Sequence, residues 1–319
     1  MRVLMGMNYT NYAHFLQKYF VGKVQKLTIN AGTTCPVRDG RLSRGGCSFC
    51  NARSFVPTIA PHTDIVAQVE RGKRFFAHKH SRQSSPIYLA YFQSGTNTYA
   101  PVDQIRPLIE AALSVDGVEG VVLATRPDCL SAEWLTYLHA LSEKTFVMVE
   151  LGVESVDDDV LCAVGRGHDV ACSAQAIAKL KAIDIPICVH LILGLPGESA
   201  DYPIRAAHWL NEQGIDVVKL HQLQVVRGSR MAEVFENDPA CIPLFTLDRY
   251  VQTVVDFLEY LSPTIAVERF VSQSPATELI APRWGVKNDE VLSCIEAELE
   301  RRGSRQGISC FPSNVRNIK

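Results

Sequence analysis

Three cysteines stand close together early in the chain, in the run Cys35-Pro36-Val37-Arg38-Asp39-Gly40-Arg41-Leu42-Ser43-Arg44-Gly45-Gly46-Cys47-Ser48-Phe49-Cys50. Thiolates on a glycine-bearing loop are the ligands that zinc and iron–sulfur clusters take, and three of them leave one metal position open. A structural zinc site takes four protein ligands instead. His62, Cys129 and Cys162 are candidates for a fourth, but none stands at a C-x2-C or H-x3-5-H spacing that would nominate it. An open position points to catalysis. A segment this rich in Gly, Arg, Ser and Asp reads as a surface loop rather than as buried or disulfide-bonded core. Arg38, Arg41 and Arg44 in it suit an anionic substrate or a reductase, or are simply solvated charges.

The elements that must carry this loop follow from period and punctuation. Short β-branched runs alternate with longer helical segments, the pattern of a parallel sheet with crossover helices. Strands are predicted at Val24 to Asn30, Ile87 to Phe92, Gly120 to Ala124, Phe146 to Leu151, Ile187 to Leu193 and Val217 to Leu220. Helices are predicted near 64–78, 102–114, 132–142, 171–183 and 200–213, with Thr63, Ser131 and Ser199 as N-caps and Gly214 as a stop. The segment 222–245, with Pro239 and Pro243, reads as irregular; a helix at Thr246 to Leu261, a strand at Ile265 to Phe270 and a helix at Asp289 to Arg301 follow it. Six βα units suit a half-open barrel over residues 1–221 with an α/β extension over 222–319, although a doubly wound open sheet fits the pattern too.

Chemistry in such architectures sits at the carboxyl ends of the strands. Gln93, Thr125, Arg126, Glu150, Glu154, His190, Lys219 and His221 all fall on or at the ends of predicted strands. A filled barrel would favour branched apolar side chains there, so Glu150, His190 and Lys219 imply a wet or ligand-filled interior.

The cysteine loop, with aromatic Phe49 between its last two cysteines, resembles the cluster loop of the radical S-adenosylmethionine (SAM) superfamily, at a longer spacing than the commonest one there. Thr125-Arg126-Pro127-Asp128-Cys129-Leu130, Glu150-Leu151-Gly152-Val153-Glu154-Ser155, Gly165-Arg166-Gly167-His168 and His190-Leu191-Ile192-Leu193-Gly194-Leu195-Pro196-Gly197-Glu198 follow in order. Together they resemble the YhcC/YtqA-type family, related to the elongator catalytic subunit, over nearly the whole chain. The resemblance implies a partial (β/α)6 TIM-like barrel of radical SAM type with a C-terminal α/β extension. It implies a [4Fe–4S] cluster on Cys35, Cys47 and Cys50 with SAM on the fourth iron.

The roles it implies extend to single residues. Phe49 packs near the adenine; Tyr91-Phe92-Gln93-Ser94-Gly95-Thr96 takes the place of the motif that meets the methionine amino group, Gln93 departing from the usual Gly-Gly-Glu form. Glu154 and Arg166 match a polar residue and an arginine that bind SAM in related tetrapyrrole-pathway enzymes, and a planar guanidinium suits the SAM carboxylate. His190 aligns with a ribose-contacting position, and Gly194 opens a turn that brings backbone near the adenine or merely joins strand to helix. Thr125 and Glu150 join the cofactor-binding set, while Lys219 and His221 face substrate or a loop.

The activity implied is reductive cleavage of SAM and hydrogen abstraction from substrate, with electrons from a flavodoxin- or ferredoxin-like donor. Kinship with the elongator subunit makes tRNA wobble uridine the leading substrate. A small metabolite or tetrapyrrole is the alternative, and a noncatalytic zinc or iron–sulfur binding protein is the alternative from another class. RNA would have to use loops, exposed aromatics such as Trp284, and basic residues near 269–287 and 301–305.

Bulk properties bound these readings. A length of 319 residues with 47% apolar content supports a substantial core, and a net charge of −2 gives no global basic field, so nucleic acid would need a local patch. Ten cysteines, no basic-then-apolar leader and no apolar run near twenty residues lead us to expect a reducing cytoplasm and no membrane. The seven cysteines outside the trio stand mostly in apolar contexts, where a thiol acts as a small hydrophobe.

Overall fold

The computed structural model describes residues 8–51, 64–77, 86–272 and 274–310. After α1 (Tyr12–Leu16), six strands are joined by five helical connections: β1 (Val24–Ile29), α2 (Ile65–Ala77), β2 (Ile87–Phe92), α3 (Val102–Leu113), β3 (Val118–Thr125), α4 (Ala132–Ser142) and β4 (Phe146–Glu154) come first. They continue through α5 (Asp158–Ala163), α6 (Val170–Lys181), β5 (Ile187–Leu193), α7 (Tyr202–Gln213) and β6 (Val217–Gln222). The strands are found where short apolar runs predict them, because strands buried on both faces need apolar side chains at nearly every position. Ser131 and Thr246 accept the capping N–H groups of Trp134 and Arg249. Ser199 does not cap α7, which starts after Asp201; Thr63 and residue 78 lie outside the described residues.

Beyond β6 come β7 (Val225–Val226), α8 (Arg230–Asn237), α9 (Leu247–Tyr260), β8 (Ala266–Arg269), β9 (Leu279–Ala281) and α10 (Asn288–Arg302). The stretch 222–245 is therefore not simply irregular: Ser229 caps α8 by accepting from the Ala232 N–H, and β7 pairs antiparallel with β9.

The main sheet runs β1-β2-β3-β4-β5-β6-β8, every pair parallel. A strand order that never reverses has no switch point, which removes the doubly wound alternative. The sheet curls into a half-barrel: β1 and β8 share no backbone ladder, yet Lys26 on the first strand reaches Glu268 on the last at 2.7 Å.

The convex face carries Leu27, Ile29, Val121, Leu151 and Val189 under the helices. The concave face carries Leu89, Tyr91, Val122, Met148, Cys188, Val217 and Ala266, closed from below by Phe15 and Leu16 of α1. Burying Phe15 alone stabilises by about 2–3 kcal/mol. With its bottom plugged, the half-barrel opens at the carboxyl ends of its strands. Among the described residues no helix is long and apolar enough to cross a membrane.

Candidate active site

A cavity of about 560 Å³ occupies that open end. Cys35, Cys47 and Cys50 lie on its wall. The loop folds back on itself: Arg38 and Asp39 donate backbone N–H groups to the Cys35 carbonyl, Gly46 donates to Val37, and Cys50 donates to Cys47. Gly45 and Gly46 have φ of +90° and +83°, so the second reversal uses conformations that side chains resist. The loop is then tied down from outside, Ser48 donating to the Val164 carbonyl and accepting at its own carbonyl from Met231.

Two guanidinium groups face the sulfurs. Arg38 Nη2 lies 3.1 Å from Cys50 Sγ and Arg166 Nη1 lies 3.6 Å from Cys47 Sγ. Burial pushes the Cys50 thiol up to about 11, Arg38 opposes this, and the Cys47 and Cys35 sulfurs raise it further. Three soft donors, close enough to oppose one another's ionisation and countered by two buried or loop-held cations, fit a cluster with one coordination position facing the cavity.

The next part of the wall comes from the end of β4. Gly152 pairs with His190, but Glu154 pairs with Leu191, a register shift that coincides with φ of +71° at Glu154. A left-handed glutamate is costly, and such strain gathers at functional sites. It aims the carboxylate at Arg166, whose Nη2 lies 3.7 Å from Oε1 and also donates to the Gly152 carbonyl. A Cβ on Gly152 would stand 2.6 Å from that carboxylate and 2.9 Å from that guanidinium, so a side chain there would displace the pair. Arg166 Nε is buried without a partner.

Phe49, Gln93, Thr125, Glu150, His190 and His221 share the same cavity. Thr125 is held by a 2.5 Å hydroxyl contact with Thr98. Arg126 is fixed by a two-pronged pair with Asp128 at 2.8 and 2.9 Å, and Nη2 donates to the Arg166 carbonyl at 2.7 Å. Gly194 is not on the wall: its N–H donates to Glu198, and a Cβ there would meet Phe245 at 2.8 Å.

Glu150 and His190 face the cavity, as a ligand-filled interior requires, and beneath it they join a closed charge cluster with Lys219. Glu150, fully buried, accepts from Lys26, from Lys219 at 2.8 Å, from Tyr91 at 2.6 Å and meets His190 Nε2 at 2.7 Å. Glu268 closes the ring, 2.7 Å from Lys26 and 3.0 Å from Lys219. Burial would raise the Glu150 carboxyl, but the two lysines hold it well below its ordinary value; burial lowers His190, and Lys219 lowers it further. Lys219 is thus absent from the cavity wall and its ammonium is taken up by two carboxylates. Glu150, Cys188 and His190 present ligand atoms within 4.8 Å of one another, but two ammonium groups already occupy the carboxylate that a cation would need.

Sequence reasoning missed Lys26 and Glu268 here, and gave Tyr91 and the basic stretch that begins at Arg269 other roles. A signal existed for the first: Leu27 and Ile29 alternate with Lys26 and Thr28, so Lys26 shares the inward face of β1. Trp284, expected as an exposed aromatic, is instead packed on Tyr250 at 5.2 Å, with Nε1 donating to the Phe245 carbonyl. Arg301 and Arg302 are engaged by Glu298, and Arg302 also by Asp256.

Comparison with known proteins is consistent with this geometry. The family described as Radical SAM superfamily matches residues 35–210, and the one described as Radical_SAM C-terminal domain matches residues 215–301. YtqA of Bacillus subtilis (strain 168) is 36% identical over 295 residues, 92% of this chain and 90% of that protein. A tRNA uridine(34) acetyltransferase of Dehalococcoides mccartyi (strain CBDB1) is 26% identical over 187 residues, 57% of this chain but 39% of that protein. Among solved structures, the archaeal Methanocaldococcus infernus Elp3 superposes with a TM-score of 0.68 at 17% identity, over 90% of this chain and 65% of that chain, a likeness of fold.

Proposed function

The chain belongs to the radical SAM superfamily, whose enzymes use a [4Fe–4S] cluster and SAM, and we propose that Cys35, Cys47 and Cys50 hold the cluster here. Bound together, cluster and SAM would supply one-electron reductive cleavage of a sulfonium C–S bond and hydrogen abstraction from substrate, the electron coming from an external donor. The carrying observation is the three sulfurs on one cavity wall, with Arg38 at 3.1 Å from one and Arg166 at 3.6 Å from another.

The chain's own residues orient and enclose. Arg166, with an unpartnered Nε and a fork already close to Glu154, suits the SAM carboxylate; Glu154 suits its amino group. Phe49 offers an apolar surface to the adenine, and His190, its ring fixed by Glu150, offers a nitrogen to the ribose. Gln93 and Thr125 complete the polar lining. The plug of α1 and the charge cluster beneath keep water from entering through the barrel bottom, which a reactive radical requires.

For substrate, the reading is a tRNA nucleoside, with wobble uridine first. Its support is the printed activity of the Dehalococcoides relative and exposed arginines: Arg41 and Arg44 on the cysteine loop, and Arg227 and Arg230, of which Arg230 donates to the Gly46 carbonyl beside the cysteines. A small acidic redox protein, flavodoxin- or ferredoxin-like, is the electron donor in this reading. Anaerobic reconstitution with iron and sulfide, reduction with SAM, and chromatography for 5′-deoxyadenosine test the chemistry. The product should appear and vanish in Cys47→Ala. Nucleoside analysis of tRNA from a strain lacking the protein tests the substrate; an unchanged nucleoside profile would refute the tRNA reading.

A further inference from the structure

The β8 side of the cavity carries a cation that the proposed cluster and SAM roles leave unused. Val217 pairs with Ala266 and Val218 with Val267, but Lys219 pairs with Arg269, so β8 carries one extra residue at Glu268. In a regular strand Arg269 would point outward toward the helices. The bulge returns it to the concave face, so that Glu268 enters the charge cluster while Arg269 lines the cavity.

Among the described residues Arg269 has no carboxylate within 4.0 Å. Nη2 lies 3.1 Å from both ring nitrogens of His221, and Nε is buried with no partner. The inner charges count three cations, Lys26, Lys219 and Arg269, against two carboxylates, Glu150 and Glu268. His221 does not redress the balance, since burial and then Arg269 hold its pKa well below the ordinary value and keep it neutral. The segment after β8 is hydrogen-bonded to the end of β6: Gln222 accepts from the Ser272 N–H at 2.8 Å and returns a bond to its carbonyl at 3.0 Å, and Gln224 Oε1 accepts from Ser274 at 2.7 Å. These bonds pin the strand end that presents Arg269.

We infer that Arg269 is the anion-recognition residue of the substrate subsite, and that the substrate enters with a carboxylate or phosphate oxygen placed against its guanidinium. This rests on the reading above only in assigning SAM to the Arg166 side of the cavity. A planar fork with a free, buried Nε suits a two-oxygen anion, and a half-buried cation without a counter-charge favours one.

The test compares wild type, Arg269→Gln and Arg269→Lys as SAM-loaded holoenzymes, titrated with inorganic phosphate or acetate against chloride at equal ionic strength and followed by melting temperature. Wild type should be stabilised by at least one anion, the choice distinguishing phosphate from carboxylate. Arg269→Gln should lose that affinity by about 10- to 100-fold and Arg269→Lys should keep part of it. SAM affinity should be unchanged in both variants, which also reports that they are folded. No anion effect beyond chloride in wild type, or equal effects in wild type and Arg269→Gln, would overturn the inference. So would loss of SAM affinity in Arg269→Gln, which would assign the arginine to the cofactor. Failure of wild type to bind SAM is a separate result against the cofactor reading, and the anion comparison then proceeds on the cofactor-free protein.

Discussion

Replacing Glu150 by glutamine keeps the shape of the side chain and removes one charge from a site with no exposed surface. In the native cluster Lys26 and Lys219 face Glu150 and Glu268, two charges of each sign. Glu150→Gln leaves two ammonium groups sharing one carboxylate, and breaking a buried pair this way costs about 3–5 kcal/mol. At roughly 2–4 °C per kcal/mol, the melting temperature should fall by about 6–20 °C. Lys219→Met in the same background restores one-to-one pairing between Lys26 and Glu268, so the double variant should be more stable than the sum of the single losses by at least about 2 kcal/mol. Because the lysines depress the folded carboxyl below its unfolded value of 4.5, its contribution is complete above that pH and is lost as pH falls toward the folded value. The gap between wild type and Glu150→Gln should therefore be widest near neutrality and narrow in acid. The assay is anaerobic thermal unfolding at matched iron content and scan rate. A loss under about 1 kcal/mol, or additive single and double variants, would refute the claim that these four charges act as one unit.

Three further outcomes follow from particular contacts. Gly95→Ala should lower stability and SAM affinity together, since its Cβ would stand 2.3 Å from the Thr33 carbonyl oxygen at φ of +72°; unchanged SAM titration would count against that wall. Glu198 is half-buried, its Oε1 enclosed without a partner and its pKa raised by desolvation to about 8, so its folding contribution is present below its unfolded value of 4.5 and lost as pH rises through 8; Glu198→Gln should gain stability over wild type between pH 6 and 9, read by urea midpoints. Thr246→Ala should cost about 1 kcal/mol by leaving the Arg249 N–H of α9 without its cap, and a midpoint unchanged from wild type would show that water replaces the bond fully.

The barrel was legible because apolar runs such as Ile87–Phe92 and Ile187–Leu193 have one structural use, burial on both faces of a parallel sheet. Short elements were not. α5 spans Asp158–Ala163, too few residues to show a helical period, and α8 lies in a segment whose prolines suggest a loop. The cysteine trio announced itself through side-chain type. Glu154 and Arg269 owe their aim to register shifts, which depend on pairing between distant strands and leave no mark in local spacing. Lys219 misled for a related reason: a charged residue at a strand end reads as solvent- or substrate-facing until its partners, 69 residues away at Glu150 and on another strand at Glu268, are known.

The barrel floor also sets an order of assembly. Lys26 leaves the ribosome 124 residues before Glu150 and 242 residues before Glu268. At about 5–20 residues per second, the first strand waits roughly 12–50 s for the carboxylate that closes its ring. Until then the nascent half-barrel holds an unbalanced ammonium at its centre and an uncovered edge on β6. Arrested chains ending before β8 should accordingly be cut by protease within the barrel strands, whereas chains extended past α10 should resist; equal resistance in the two would show that translation completes the floor without its last strand.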